Sequence, residues 1–323
     1  MRHALARTAL ICVAALVCVA TSRAQDYPAK PVRIVVPLAP GGGNDTTARL
    51  VAKKLADTMG QQVIVENRPG GAGAIAGEIV VRAPADGYTL YLASTTFTSS
   101  PALVRQLPFD TLRDFAPITR LAVVPGALIV HASLPVKSVK DVVALARSKP
   151  GEVTFGSAGM GSGSHLGGEL FKLLAHVNMT HVPYKGSAIV TTALLSGEVM
   201  TAFTNPISSL PHVKAGRLKN LGVSSAERWP LLPDYPTIAE SGVPGYETYI
   251  WNGMVVRTGT PAQIIQRLHK ELTNAIQAPD VAKHLAGDGS RPMVQTPEEF
   301  GAFLRNEVAK WDKVARAAGL RRD

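Results

Sequence analysis

Pro37–Arg49, PLAPGGGNDTTAR, decides the fold. Five residues before it, Val32–Val36 (VRIVV), form a β-branched run of strand type. After it, Ala48, Leu50, Val51, Leu55 and Met59 recur close to helical spacing from Thr46 to Met59. The stretch is therefore a glycine-rich turn from strand to helix. Asn44, Asp45 and Thr46 are all good N-cap types. Gly41–Gly43 carry no Cβ, so their N–H groups can approach a ligand closely. A helix N-terminus adds unpaired donors and partial positive charge. Two readings stay open from this stretch alone: an anion cradle, or a tight βα turn with nothing bound.

Working outward, the strand–turn–helix unit recurs. Gln62–Glu66 is a strand, followed by Asn67–Gly73 and a helix over Ala74–Arg82; Leu90–Ala93 is the next strand, ending in Ser94, Thr95 and Thr96. Thr119–Val130 is apolar and extended, interrupted by Pro125. A second β-α series follows. Its strands are Val153–Phe155, Thr180–Val182, Val199–Phe203 and Leu218–Val223. Its helices are Ser138–Arg147, one ending near Ala175, Ile189–Ser196 and Ile207–Ala215. Pro230–Tyr246 is a proline-rich loop, and Thr248–Arg257 reads as a strand returning to the first series. Helices Pro261–Gln277, Asp280–Ala286 and Pro297–Ala318 then complete it, with Pro261 and Pro297 at first-turn positions. This is an α/β protein with two parallel-sheet lobes. The expected division is 25–125 plus 249–323 for the first lobe and 126–248 for the second.

Residues 1–24 read as a secretory signal peptide. Arg2, His3 and Arg7 precede an apolar run from Thr8 to Ala20, and Ser22-Arg23-Ala24 places small residues before a cut ahead of Gln25. The run is short for a membrane span. Both cysteines, Cys12 and Cys18, lie inside it and lack the small preceding residue of a lipoprotein site. A cleaved chain has no disulfide, cysteine nucleophile or thiolate metal ligand. Loss of Arg2, Arg7 and Arg23 takes the net charge from +10 to +7, which suits anionic partners. The basic residues are scattered and aromatics make up only 6%, which argues against nucleic acid.

Several motifs resemble catalytic ones and fall short. Gly71–Ala76 has the form G-x-G-x-x-A, but the next strand ends in Ser94-Thr95-Thr96 with no acid for a ribose hydroxyl. Close helix–strand packing accounts for it better. Gly156–His165 (GSAGMGSGSH) holds serines and a histidine without a G-x-S-x-G frame. A secreted serine hydrolase using Ser164 and His165 is the alternative that this segment leaves open. No H-x-x-x-H or H-E-x-x-H pair occurs, and no Walker loop, so no metal or cofactor is expected. Four strand ends, Pro40–Asp45, Ser157–His165, Lys185–Ser187 and Thr204-Asn205, are rich in small donors and poor in acids. In parallel sheets ligands sit at strand carboxyl ends. Two lobes facing each other through such ends make a clamshell solute receptor.

Five stretches in order and spacing carry a family resemblance: PLAPGGGNDTTAR, VENRPGGAGAIAG, GSAGMGSGSHLGGELF, VPYKGSAIVTTALLSGEV and PTIAESGVPGYE. Together they resemble the substrate-binding receptors of tripartite tricarboxylate transporters, the Bug-type proteins, over essentially the whole mature chain. The resemblance implies a type II periplasmic-binding-protein-like fold, with the ligand in a cleft between two α/β lobes. It implies a periplasmic monomer that captures a small organic acid and hands it to integral-membrane transporter subunits. Carried over by position, the first-lobe site comprises Leu38, Gly42, Gly43, Asn44 and Asp45, with Thr95 and Thr96 beside them. The second-lobe carboxylate site comprises Ser157, Ala158, Gly159, Ser164, His165, Gly186 and Ser187, with Thr204 and Asn205 at the neighbouring strand end. Relatives often carry an acid where this chain has Thr204, and an aromatic where it has Asn252 before Gly253.

Overall fold

The computed structural model describes residues 27–320. The signal peptide expected over 1–24 lies outside the described residues. The chain builds two sheets, and each strand type follows from its sequence. Val32–Val36 (β1) is buried at four of its five positions, as a β-branched run inside a covered parallel sheet should be. It pairs in parallel with β2 (Val63–Asn67) and β3 (Thr89–Ser94). β10 (Tyr249–Arg257) runs antiparallel between β3 and β4 (Phe115–Pro125), and the two-residue β11 (Arg291–Pro292) closes that edge. The first sheet thus has the order β11-β4-β10-β3-β1-β2.

The second sheet has the order β7-β6-β8-β5-β9. β6 (Thr154–Ser157) lies parallel to β7 (Thr180–Pro183) and β8 (Thr201–Thr204). β5 (Ala127–His131) is antiparallel to β8 and β9 (Leu218–Val223). The apolar run expected over Thr119–Val130 is therefore two strands in two sheets, divided at Pro125 and Gly126. The chain crosses back at Thr248. Ser224 fastens the two crossings together: its Oγ accepts from Gly126 N–H at 2.7 Å and donates to the Thr248 carbonyl at 2.5 Å.

Helices α1 (Gly43–Met59), α2 (Ala74–Arg82) and α3 (Thr95–Leu103) follow β1, β2 and β3. Helices α4 (Val139–Ser148), α5 (Gly163–Ala175), α6 (Ser187–Ser196) and α7 (Pro206–Lys214) serve the second sheet. Helices α8 (Ala262–Gln277), α9 (Pro279–Gly287) and α10 (Pro297–Ala317) come last. α8 buries Leu268, Leu272, Ala275 and Ile276, one helical stripe, on the first sheet's core. α10 opens with a capping box between Thr296 and Glu299. Its Phe300 and Leu304 pack on the first sheet. Its Trp311 and Val314 join the second sheet's core with Phe155, Leu166 and Phe171. The tail expected to complete the first lobe also packs on the second sheet's core at its end.

Two local expectations differ from the structure. α1 starts at Gly43 rather than Thr46, with the extended Gly42 as N-cap, so Asn44, Asp45 and Thr46 are first-turn residues. Thr95–Leu103 is a helix where only a strand end was expected. Its sequence, TTFTSSPAL, has poor helix propensity. Burial holds it: Thr95–Ser100 are all buried, and Thr98, Ser99 and Ser100 donate to the carbonyls of Thr95, Thr96 and Phe97 at 3.1–3.3 Å. Pro101 removes the donor that the Phe97 carbonyl would receive four residues on, and the Ser100 hydroxyl takes that place.

Candidate ligand site

The first-sheet wall begins at the turn quoted at the outset. Gly41 has a φ of 83°, which favours glycine. Gly42 provides no side-chain cap, so the first N–H groups of α1 have no intrahelical acceptor. Asp45 is 4% exposed. Its Oδ2 accepts from Gly41 N–H at 2.9 Å and from Arg49 Nε at 3.0 Å. Burial pushes this carboxyl up, but the hydrogen bonds from Arg49 and Gly41 outweigh it and hold it below the usual range. Asp45 is therefore an anion already committed to its own loop. The Leu38 carbonyl accepts from Asn67 Nδ2 at 3.0 Å, and Arg49 bonds the Asn67 oxygen at 3.1 Å. Asn67, at the end of β2, is a positioning residue that sequence reasoning missed; its place at a strand's carboxyl end was the available signal.

Beside this loop, β3 delivers Ser94, Thr95 and Thr96, all buried. The Ser94 and Thr95 hydroxyls, Asn44 Nδ2, Tyr91 OH, Asp45 Oδ1 and Asn252 Oδ1 are buried without a hydrogen-bond partner. Asn252 stands opposite Ser94 across β3 and β10, and its Nδ2 donates to Thr47 at 3.2 Å. This wall thus concentrates unspent polar atoms, which in water-free surroundings are costly. α3 also starts without a side-chain cap.

The second-sheet wall is the loop between β6 and α5. Ala158 N–H donates to Ser164 Oγ at 2.9 Å, Gly159 N–H to Ser157 Oγ at 3.2 Å, and Gly161 N–H to His165 Nδ1 at 3.1 Å. Ser162 caps α5, accepting from His165 N–H, and its hydroxyl meets the Gly159 carbonyl at 2.6 Å. Tyr184 N–H donates to the Ser157 carbonyl at 2.9 Å, tying the turn after β7 to this loop. That turn ends in Gly186, the N-cap of α6, with a φ of 116° and no side-chain cap; Ser187 follows, exposed.

The two walls meet. A Cβ on Gly163 would stand 3.5 Å from Thr95 Oγ1, and Ser99 Oγ donates to the Gly161 carbonyl at 3.1 Å. Ser164 lines a small pocket with Gly126, Ser224, Thr248 and Ile250, where the chain crosses between the sheets. Thr204 is buried at the end of β8. Asn205 is drawn away from the group: its Oδ1 caps Ile207 N–H at 2.8 Å and its Nδ2 donates to the Asp288 carbonyl at 3.0 Å. Both ends of that amide are held by the protein itself.

Several helix N-termini gather in this region. α1, α3 and α6 start here with no side-chain cap. α5 and α7, at the neighbouring strand ends, start under side-chain caps from Ser162 and Asn205, and α2, α8 and α9 also start without one. Uncapped N-termini offer several N–H donors each to an anion. The hydrolase pairing does not form. Ser164 Oγ is engaged with Ala158 N–H and Ser162, and His165 Nδ1 receives Gly161 N–H, so the imidazole does not face that hydroxyl. Among the described residues, no group of three His, Cys, Asp or Glu side chains is placed to hold a metal ion.

Residues 47–320 match the profile of the tripartite tricarboxylate transporter family receptor. The chain belongs to that family. Among its relatives, the protein BugT of Bordetella pertussis is 34% identical, over 92% of each chain. The solved structure of Rpa4515 from R. palustris with adipate is 39% identical, with a TM-score of 0.81 over 91% of this chain and 99% of that one. MatC from Rhodopseudomonas palustris with bound malate is 30% identical, with a TM-score of 0.79 over 89% of this chain and 99% of that one. As a Bug-type receptor, the chain has the expected periplasmic solute-binding fold of two α/β lobes, and the family's role is extracytoplasmic solute binding.

Proposed function

We propose that this receptor captures a small carboxylate between its two lobes and delivers it to the membrane subunits of a tripartite transporter, without turning it over. One observation carries the reading. Three helices, α1, α3 and α6, start uncapped at these strand ends, unpartnered donors on Asn44, Ser94 and Thr95 collect beside α1 and α3, and the buried acid there, Asp45, is paired with Arg49. Such a surface accepts an anion, and an acid already paired with Arg49 through Oδ2 is a weak partner for a ligand ammonium. Adipate and malate on the two similar proteins support the same class.

The proposed binding set is the one carried over from the family, divided between a lobe of 25–125 plus 249–323 and a lobe of 126–248. Asn205 acts through the fold rather than through the ligand. Export to the periplasm with cleavage near Ala24 belongs to the same reading. The test is a thermal-shift panel on ligand-stripped protein, with adipate, malate and amino acids at equal concentration. A ligand at 100 times its dissociation constant stabilises by about 2.7 kcal/mol. An amino acid giving the largest shift while its deaminated analogue gives none would overturn the reading. So would consumption of the acid by the protein.

A further inference from the structure

The second-sheet loop is organised around a residue outside the carried-over site. His181, on β7, is stacked between two rings: Phe155 at 4.9 Å and His165 at 4.1 Å between centroids, each at 26°. Its Nε2 lies 2.6 Å from Ser157 Oγ. Ser157 is fully buried, and the same oxygen receives the Gly159 N–H. His165, also fully buried, receives Gly161 N–H on Nδ1. That bond needs a bare Nδ1, so the neutral ring carries its proton on Nε2. Nε2 has no hydrogen-bond partner; Glu169 Oε1 is 4.0 Å away and is itself bonded to Lys172 at 2.9 Å. Burial, with Lys172 nearby, holds both rings neutral: His165 is pushed down to about 3 and His181 to about 4.

We propose that His181 is a positioning residue of the anion site, acting through Ser157 and the neutral His165 ring to hold the Ala158–Gly161 backbone in its ligand-receiving form. The consequence for binding is pre-organisation: the loop N–H groups are fixed by side chains, which leaves the uncapped start of α6 beside them to meet the carboxylate. This rests on the carboxylate reading of the site. A purely structural role for His181 would require only its ring in the stack. The hydrogen bond to Ser157 distinguishes the two.

The experiment compares H181F, which keeps an aromatic ring between Phe155 and His165, with H181Q, which keeps a hydrogen-bonding group towards Ser157. Adipate is the probe, by calorimetric titration at pH 7, with melting temperatures measured alongside. H181F is expected to lose about tenfold in affinity and H181Q to stay within about threefold of wild type. Equal affinities in all three proteins, or H181Q falling as far as H181F, would overturn the proposal. Where the wild-type protein binds no adipate, the reading of the ligand fails on its own. The backbone amide resonances of Gly159 and Gly161 then decide: displaced in H181F and restored in H181Q supports positioning, and unmoved in H181F overturns it.

Discussion

The two walls of the site are opposite in how they spend their polar groups. On the second-sheet wall, Ala158, Gly159 and Gly161 each give their N–H to a side chain; Ser164 also meets Ser162 and Ser157 meets His181, while His165 keeps an unpartnered Nε2. On the first-sheet wall, Asn44, Ser94, Thr95 and Asn252 each keep a buried polar atom unpartnered. A satisfied network is rigid and stabilising, whereas unpartnered buried groups are destabilising until something fills them. The second wall is therefore largely satisfied, with His165 Nε2 left over. The first wall holds valency that a ligand, or water carried with it, would satisfy. Substitutions on the second wall should accordingly cost stability, and affinity through the loop it holds, whereas those on the first should cost affinity with little stability.

The sharpest break of that contrast is His165→Ala. It removes a fully buried ring from the stack and strands the Gly161 N–H, so unfolding free energy should fall by about 3–4 kcal/mol in denaturant titration. A fall under about 1 kcal/mol would mean that the second wall is not the rigid one.

Acid should weaken the same wall next. His165 is neutral when folded, with its pKa held down to about 3, and returns to its ordinary value near 6.5 when unfolded. The unfolded chain therefore binds more protons between these values, so stability is full above pH 6.5 and is lost as pH falls. For this one group the loss is about 1.4 kcal/mol per pH unit, and the part-buried His181 adds in the same direction. Thermal unfolding from pH 7 to pH 4.5 should show the slope in wild type and a shallower one in H165F. Identical slopes would remove His165 from the account.

Ser157→Ala should cost less, about 1–2 kcal/mol, since it unpairs Gly159 N–H and His181 Nε2 without opening a large cavity. The smallest stability effect is expected on the other wall. Thr95→Val removes a hydroxyl with no partner and keeps the shape, so stability should change by less than about 0.5 kcal/mol in either direction. Adipate affinity should nevertheless fall about tenfold in titration, the loss of one charge-assisted hydrogen bond. A stability loss with unchanged affinity would reverse the assignment of the two walls.

The sequence by itself determined the two β-α series, the family and most strand ends at which donors gather. β-branched runs, glycine turns and apolar helical stripes are local signals, and each is set by residues within a few positions of one another. It also placed Ala74–Arg82 and Leu218–Val223 to the residue. What it left undecided depends on partners distant in the chain. α3 was invisible because TTFTSSPAL folds as a helix only when buried, against α10 some 200 residues on. Asn205, expected as a donor to the ligand, gives one amide hydrogen to the carbonyl of Asp288, 83 residues away. Trp311 and Val314 belong to the second core although Phe300 and Leu304 of the same helix belong to the first. His181, an unremarkable strand residue in the linear chain, gains its place from Phe155, Ser157 and His165 together. Local periodicity reports which face of an element is apolar; only packing decides which polar atoms on the other face are already spent and which remain for a ligand.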